Sequence, residues 1–279
     1  MKDKTMNPGD NAGFFPDKNS VQDYLNGENN RTTNDYHLDR LRALEYLLQK
    51  FEKPKRILDF GCGNGMYINY FWNPADLDRL VGVDMYESML DQFSLNLQDF
   101  PIEVVRGDAR SLSTISGDFD LILAIDVLGY LNDNELKEFY TNAHSLLKND
   151  GYLVVMYGNE LFDMFALNQG TVDFFRNNFD VEVANLLVES NTPRYLPSDR
   201  RNPLNFASEI AYYGFKELIQ SFSQWHKVPP GIGNKGTDVV EARLQMRDHS
   251  FDPNTLNDKS KWKALFRSSI FASLSQKKS

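Results

Sequence analysis

The chain predicts an α/β fold in which a mostly parallel, doubly wound sheet carries helices on both faces. Three observations lead there. Five short runs rich in apolar and β-branched residues, Arg56 to Phe60, Leu80 to Asp84, Ile102 to Arg106, Asp120 to Ile125 and Tyr152 to Tyr157, have the near-continuous hydrophobicity of strands buried on both sides. The segments between them, notably Glu87 to Leu97 and Asn134 to Leu147, are long enough for crossover helices, and such alternation is what a parallel sheet requires. A glycine-rich turn, Gly61-Cys62-Gly63-Asn64-Gly65, directly follows the first strand, at the sheet edge where doubly wound folds bind ligands.

In chain order, residues 1–36 are polar and lack the apolar core of a signal peptide. They read as a segment that folds as a flap over a ligand, ahead of one large domain, 37–279. From His37 to Phe51, Leu38, Leu41, Leu44, Leu47, Leu48 and Phe51 recur at helical spacing, which predicts a buried helix face with Arg40, Arg42 and Glu45 outside it. The helix from Asn134 closes in Lys148-Asn149-Asp150-Gly151, with the glycine placed to end it. After Tyr157 the alternation breaks. Residues 159–205, punctuated by Pro193, Pro197 and Pro203, read as an inserted lid over the active-site edge. A helix over Phe206 to Tyr213, a strand over Phe215 to Trp225 and a helix over Val239 to Arg247 follow, 228–262 being a second insertion. Lys259 to Lys278 fits either a cationic amphipathic helix or, through Ser269 to Leu274, a last strand, which the pattern favours.

The 279 residues, 41% hydrophobic, 25% charged and 13% aromatic, suit a folded domain with a large core. A net charge of −9 argues against general binding to nucleic acid or anionic membrane, both of which need Lys and Arg against phosphate. With Cys62 as the one cysteine, no intrachain disulfide and no zinc site is expected. No run approaches the roughly 20 apolar residues of a membrane span. A cytoplasmic monomer or homodimer is the expectation.

The run Asp59-Phe60-Gly61-Cys62-Gly63-Asn64-Gly65 carries the function. Glycines at a strand-to-helix turn take backbone angles closed to other residues and let a ligand approach the main chain. Asp84, 19 residues past Gly65, ends the second strand, where a carboxylate accepts hydrogen bonds from ribose hydroxyls. Together they describe an adenosine site. A dinucleotide would need a third glycine three residues after the second, close to phosphate, and that position holds Met66.

The run resembles the first motif of class I S-adenosylmethionine-dependent methyltransferases, and the resemblance continues for about a hundred residues. Val81-Gly82-Val83-Asp84 resembles the acidic ribose-binding strand end, and Arg106-Gly107-Asp108-Ala109 the turn whose carboxylate meets the adenine amine. Asp120 to Leu131 resembles the fourth strand and its loop, and Leu146 to Leu153 the lead into the fifth. The resemblance implies a Rossmann-like seven-stranded sheet ordered 3-2-1-4-5-7-6 with strand 7 antiparallel, and S-adenosyl-L-methionine as cofactor. It places Asp59, Gly61, Cys62, Gly63 and Gly65 at the methionine end, Asp84 at the ribose and Asp108 at the adenine, with Met85 and Ala109 flanking the purine and Asp126 and Val127 also in contact. Acidic groups suit a sulfonium cation.

Methyl transfer from a sulfonium is an in-line displacement with an excellent leaving group, so alignment and exclusion of water can supply much of the catalysis. For a hydroxyl acceptor, the candidate bases are His226, Tyr157 and His37, with His226 favoured by its place at the end of a strand near the cofactor edge. Arg194, Arg200 and Arg201 form a basic cluster in the lid, which points to an anionic small-molecule acceptor such as a nucleotide-linked sugar. The reading is O- or N-methylation of a small molecule. A cofactor-binding but inactive partner protein is the alternative. A nucleic-acid methyltransferase is disfavoured, because Asp126-Val127-Leu128-Gly129 stands where an Asn/Asp-Pro-Pro-aromatic signature belongs.

Overall fold

A computed structural model describes residues 31–165, 171, 173–174, 177, 198–226 and 261–278. Helix α1 (Arg31–Leu48) precedes β1 (Arg56–Phe60). Then come α2 (Met66–Phe71), β2 (Arg79–Asp84), α3 (Glu87–Asn96), β3 (Ile102–Arg106) and β4 (Phe119–Ile125). Helix α4 (Asp133–Leu146) leads into β5 (Leu147–Gly158), followed by α5 (Phe206–Ala211), β6 (Phe215–Trp225), α6 (Lys261–Arg267) and β7 (Ser268–Lys277). The seven strands form one sheet in the order β3-β2-β1-β4-β5-β7-β6. β7 runs antiparallel between β5 and β6, and the other neighbours are parallel. This is the Rossmann-like arrangement that the motifs imply. Because β6 is antiparallel to β7, the C-terminal ends of β1 to β6 all open on one edge.

Apolar faces on both sides hold the helices to the sheet. Leu44 and Leu47 of α1, Ile68 of α2, and Leu90 and Phe93 of α3 pack on Ile57, Leu80, Leu123, Met156 and Ala272. Phe139, Tyr140 and Ala143 of α4, with Phe206 and Ile210 of α5, cover Leu58, Val81, Ile122, Val155 and Phe271 on the opposite face. Each fully buried Val, Leu, Ile, Phe or Met among them contributes about 1.5–3 kcal/mol. Helix α4 starts where Asn132 Oδ1 accepts from the backbone N–H of Asn134 (3.0 Å) and Glu135 (3.1 Å), while Glu135 Oε2 accepts from Asn132 N–H (2.9 Å). This reciprocal cap fixes the helix start at the sequence Asn-x-x-Glu.

Three details differ from the sequence reading. Helix α4 stops at Leu146, and the residue in the left-handed region is Asp150 (φ 61°), not Gly151. Gly151 is needed for close approach instead, since a Cβ there would lie 3.1 Å from the Phe119 carbonyl oxygen. The tail divides between the two expectations: a short helix, α6, then β7, whose Phe271, Ala272 and Leu274 are fully buried between β5 and β6, where a membrane-surface helix has no place. In α1, Leu38 is 44% exposed whereas His37 and Arg40 are buried. The buried stripe is His37, Arg40, Leu41, Leu44 and Leu47. Residues 1–30, the helix expected at Val239 to Arg247, Arg194 and most of both insertions lie outside the described residues. Among the described residues no helix is long and apolar enough to cross a membrane, and no His, Cys, Asp and Glu group could hold a metal ion.

Candidate functional site

The turn between β1 and α2 is built on three left-handed glycines, Gly61 (φ 70°), Gly63 (φ 51°) and Gly65 (φ 78°). The backbone N–H groups of Gly61 and Cys62 both donate to the Val83 carbonyl, at 2.7 and 3.1 Å, folding the turn onto β2. The glycines serve different ends. A Cβ on Gly61 would come within 2.6 Å of the Val127 side chain, and one on Gly65 within 2.7 Å of Leu97 Cδ1. Both are demanded by packing, and Val127 reaches the site by closing over Gly61. A Cβ on Gly63 would meet nothing within 4 Å. Gly63 therefore marks the face of the turn that is open to a ligand.

Asp84 is fastened to this turn. Its Oδ2 accepts from Gly63 N–H (3.1 Å) and its Oδ1 from Tyr86 N–H (2.9 Å), and each carboxylate oxygen has a further lone pair for a sugar hydroxyl. Burial raises its pKa against the lowering effect of the Tyr86, Gly63 and Met85 backbone hydrogen bonds. Asp59, on β1 and 3% exposed, has its pKa pushed up to about 7, by burial first and by the charge of Asp84 second. A buried carboxylate strained by a second one is a pair that a bound cation relieves. The open face of Gly63 and this acidic pair fit an adenosine-bearing sulfonium with an amino-acid tail. Cys62 is buried, and its thiol pKa is raised by burial and then by Asp59 and Asp84, which rules it out as a nucleophile at neutral pH.

The adenine end is arranged differently from the expectation. Asp108 lies beside Asp84, since Gly107 N–H donates to the Asp84 carbonyl (3.0 Å). Its carboxylate, however, caps the turn Ala109–Thr114 and is gripped by Arg110: Oδ1 accepts from Arg110 N–H (2.9 Å) and Oδ2 from Arg110 Nε (3.0 Å). The Arg110 guanidinium holds the carboxyl below its usual range. Met85 is 39% exposed beside Asp84 and is free to meet a purine, whereas Ala109 is fully buried. The methyl group of Ala109, expected to flank the purine, lies in the core cluster with Leu112.

Tyr157, expected as a base, is 2% exposed, and its hydroxyl is hydrogen-bonded to that of Tyr140 (2.8 Å). Burial raises its pKa well above the ordinary value. It is a core residue and cannot take a proton at the edge. His226 does stand at the C-terminal end of β6, but it is 3% exposed, its ring lies 4.8 Å from that of Phe162, and its backbone N–H and C=O are both bonded to Arg267. His37 is buried on α1, one turn before Arg40. Arg200 pairs with Asp163 (2.9 Å) and donates to the Ser269 carbonyl (3.1 Å), and Arg201 pairs with Glu209 (3.2 Å). Arg200 neutralises the buried Asp163, Arg201 the half-buried Glu209, and both pin their segment across the edge. There Asp199 N–H donates to the Gly129 carbonyl (2.6 Å) and Arg201 N–H to the Gly158 carbonyl (3.0 Å). Residues 199–201 thus cross the ends of β4 and β5.

Sequence reasoning missed Arg40. Its guanidinium, with the side chain 7% exposed, forms an ion pair with Asp126, itself at φ 55° just past β4. Tyr130 lies close by, its pKa pushed up to about 12 by burial and then by the charge of Asp126. The available sign was a charged residue in phase with Leu41, Leu44 and Leu47 on the helix face that packs inward.

Residues 57–151 match the family profile described as a methyltransferase domain. Fold, site and match together point to one class: this segment is similar to the methyltransferase domains of the class I S-adenosylmethionine-dependent kind. Among curated relatives, a polyamine aminopropyltransferase of Streptococcus uberis is 28% identical over 120 residues, 39% of this chain and 42% of that protein, so the chain spans about two fifths of the length of that relative. A Geobacillus protein carrying a methyltransferase name is 26% identical over 70% of this chain and 79% of its own. A ubiquinone biosynthesis O-methyltransferase of Coxiella burnetii is 28% identical over 46% of this chain and 55% of its own. Among solved structures, an S-adenosylmethionine-dependent methyltransferase from Thermotoga maritima superposes with a TM-score of 0.55 at 16% identity, covering 92% of this chain and 96% of that one. The N-methyltransferase NodS from Bradyrhizobium japonicum, in complex with S-adenosyl-L-homocysteine, does so at 0.53 and 13% identity, covering 93% and 97%. At these identities the structures speak for the fold.

Proposed function

We propose that this protein is an S-adenosylmethionine-dependent methyltransferase acting on the oxygen or nitrogen of a small molecule. The observation that carries the reading is the glycine turn with Gly63 facing open space, tied through its N–H to Asp84 and backed by the buried Asp59. The cofactor would supply an electrophilic methyl group: a lone pair on the acceptor oxygen or nitrogen would form the new bond to carbon, the carbon–sulfur pair would stay on sulfur as a neutral thioether, and the acceptor proton would pass to solvent. The chain's own residues bind and orient. Gly63 admits the ligand to the backbone, Asp84 accepts from the ribose, Met85 offers an apolar wall, and Asp59 faces the positive end of the tail. The acceptor comes in at the ends of β4 and β5, where α1 and the segment 198–201 exclude water and fix the approach.

Of the three arginines expected to meet an anionic acceptor, Arg200 and Arg201 are engaged by Asp163 and Glu209, and Arg194 lies outside the described residues. We therefore propose a small acceptor held by shape more than by charge. Alignment carries the mechanism without a dedicated base; His226 and His37 are the remaining candidates for one. The aminopropyltransferase match favours testing a second reading, transfer of an aminopropyl group from a sulfonium whose tail lacks the carboxylate. Calorimetric titration with S-adenosylmethionine, its demethylated product, its decarboxylated analogue and NAD, repeated on Asp84→Ala, tests the proposal. Binding of the first two, lost in the variant, supports it. Binding of the decarboxylated analogue alone replaces it with aminopropyl transfer, and binding of NAD alone refutes both.

A further inference from the structure

We propose that residues 198–201 form a strap whose docking on Gly129 and Gly158 positions the loop 126–130 and, through Val127, the glycine turn at Gly61, so that a docked strap and a bound cofactor stabilise each other. The proposal rests on the methyltransferase reading above, which puts the cofactor on that turn. Two glycines show how closely the strap lies. Neither Gly129 nor Gly158 has a positive φ, so neither is demanded by its own backbone. A Cβ on Gly129 would come within 2.7 Å of the Asp199 carbonyl oxygen and 3.2 Å of Ser198 Cβ, and one on Gly158 within 3.0 Å of Arg200 Cγ. At both positions a side chain is missing where the strap passes, which is the close-approach use of glycine.

Backbone and side chains fix the strap together. Besides the Asp199 and Arg201 N–H groups that donate to Gly129 and Gly158, the Glu160 N–H donates to the Arg201 carbonyl (3.0 Å), and Arg201 forms a parallel bridge with Asn159. Arg200 is held by the buried Asp163, and Arg201 by Glu209 of α5, with its guanidinium carbon 5.9 Å from the centre of the Tyr157 ring. The loop beneath is gripped from the other side. Leu128 is fully buried, and Tyr130 N–H donates to the Val127 carbonyl (3.1 Å), closing the turn Leu128–Tyr130. The Val127 side chain fills the space in which a Cβ on Gly61 would stand. The loop thus has the glycine turn against one end and the strap against the other, each contact made where a glycine leaves no side chain to yield. Packed contacts of this kind switch between discrete arrangements more readily than they deform. A strap that lifts from Gly129 frees the loop, Val127 loses its seat on Gly61, and the turn loses the shape that meets the ligand. A ligand that fixes the turn holds Val127, the loop and the strap in their places. Such coupling is reciprocal: the factor by which the ligand stabilises the docked strap is the factor by which docking tightens the ligand. Gly129, Gly158 and Glu209 are thereby positioning residues that act on the cofactor through the loop.

The test is hydrogen exchange at the Asp199 and Arg201 amides of the full chain, with and without S-adenosylhomocysteine, alongside calorimetric titration of that ligand into wild type and variants. In the wild type the ligand should slow exchange of both amides by roughly five- to tenfold, the low end of ordinary coupling between sites. Gly129→Ala pushes the strap off the loop, and Glu209→Gln loosens it from α5. Each should speed the same amides and weaken the ligand by up to that factor. Val127→Ala should still bind the ligand, more weakly, but leave the strap amides unresponsive to it, because the link is cut. Leu146→Val, in the core where β4 begins, should lower the melting temperature and leave strap exchange and affinity unchanged, which separates coupling from a general loss of stability. Ligand binding that leaves the strap amides unchanged overturns the proposal. So does strap protection that survives Val127→Ala, since the ligand would then act on the strap directly, and so does a Gly129→Ala chain whose strap opens while affinity holds. If Gly129→Ala does not fold, the wild-type exchange and Glu209→Gln decide alone. A wild-type chain that binds no S-adenosylhomocysteine overturns the methyltransferase reading, and this proposal with it, an outcome distinct from binding without strap protection.

Discussion

Replacing Asp59 with asparagine should make the cofactor-free protein more stable, and increasingly so as pH rises. In the folded chain Asp59 titrates at about 7 against an ordinary 3.8, because it is buried and lies beside Asp84. Below pH 3.8 the carboxyl is protonated in both states and contributes nothing. Between 3.8 and about 7 the unfolded chain has lost a proton that the folded chain retains, so the native state loses stability with each step upward in pH. Above 7 the ionised group stays buried and the penalty is at its full value. A rise from 3.8 to about 7, at about 1.4 kcal/mol per pH unit, makes that penalty about 4 kcal/mol. The amide keeps the shape without the charge, so Asp59→Asn should gain almost nothing at pH 4 and approach that figure at pH 8, a rise in melting temperature on the order of 10 °C. Melting curves of both proteins from pH 4 to pH 8, without cofactor, measure it directly. A difference that does not grow with pH, or a variant destabilised throughout, would refute the account of Asp59 as a strained carboxylate. The same account requires wild-type binding of a cationic cofactor to tighten as pH rises through about 7, with proton release visible between buffers of different ionisation enthalpy, and Asp59→Asn to abolish that dependence.

Gly63→Ala should fold, with a backbone penalty of about 1–2 kcal/mol for its left-handed angle, yet bind S-adenosylmethionine at least about tenfold more weakly because its Cβ enters the ligand space; unchanged affinity by calorimetry would move the ligand elsewhere. Tyr157→Phe should lower stability in denaturant melts by about 1–3 kcal/mol, since it leaves the buried Tyr140 hydroxyl without its partner, and cofactor affinity should hold. His226→Ala should likewise lower the melting temperature, by removing the ring packed at 4.8 Å on Phe162, and spare cofactor binding; a pH–rate profile that loses a limb near neutrality once an acceptor is found would instead make His226 the base.

The sheet was legible because its strands announce themselves locally. Val81 and Val83, or Leu121 to Ile125, are apolar on both faces, and the glycine turn after β1 has few structural uses. Asp84 followed from its place at the end of β2. What the sequence concealed were partners, some local and some far apart in the chain. Asp108 is an adenine contact by motif, yet Arg110 two residues on takes its carboxylate, a local capping geometry that the pair Asp-x-Arg could have suggested. Tyr157 lies near the end of β5, but its side chain points inward, and a one-residue register decides that; Ala109 opens the turn after β3 with its methyl group in the core. Arg40 falls outside the apolar stripe of α1 by residue type, although its phase places it with Leu44 and Leu47.

The arginines at the edge share one logic. Arg40, Arg200 and Arg201 each meet a carboxylate, Asp126, Asp163 and Glu209, and each links segments distant in sequence or the crossing segment to what lies beneath it. Read singly from the sequence, such residues look like ligands for an anion. Paired, they are fasteners, and their net charge at the edge is close to zero. They differ in what can replace the carboxylate. Asp163, at 2% exposure, has nowhere to go, so Arg200 stays where it is; Asp126, at 26% beside the glycine turn, can turn outward. Burial of the acid, more than that of the arginine, therefore separates a structural pair from one that can open, and by that criterion the Arg200–Asp163 pair is closed, whereas Asp126 at 26% and Glu209 at 35% exposure are the acids with room to turn.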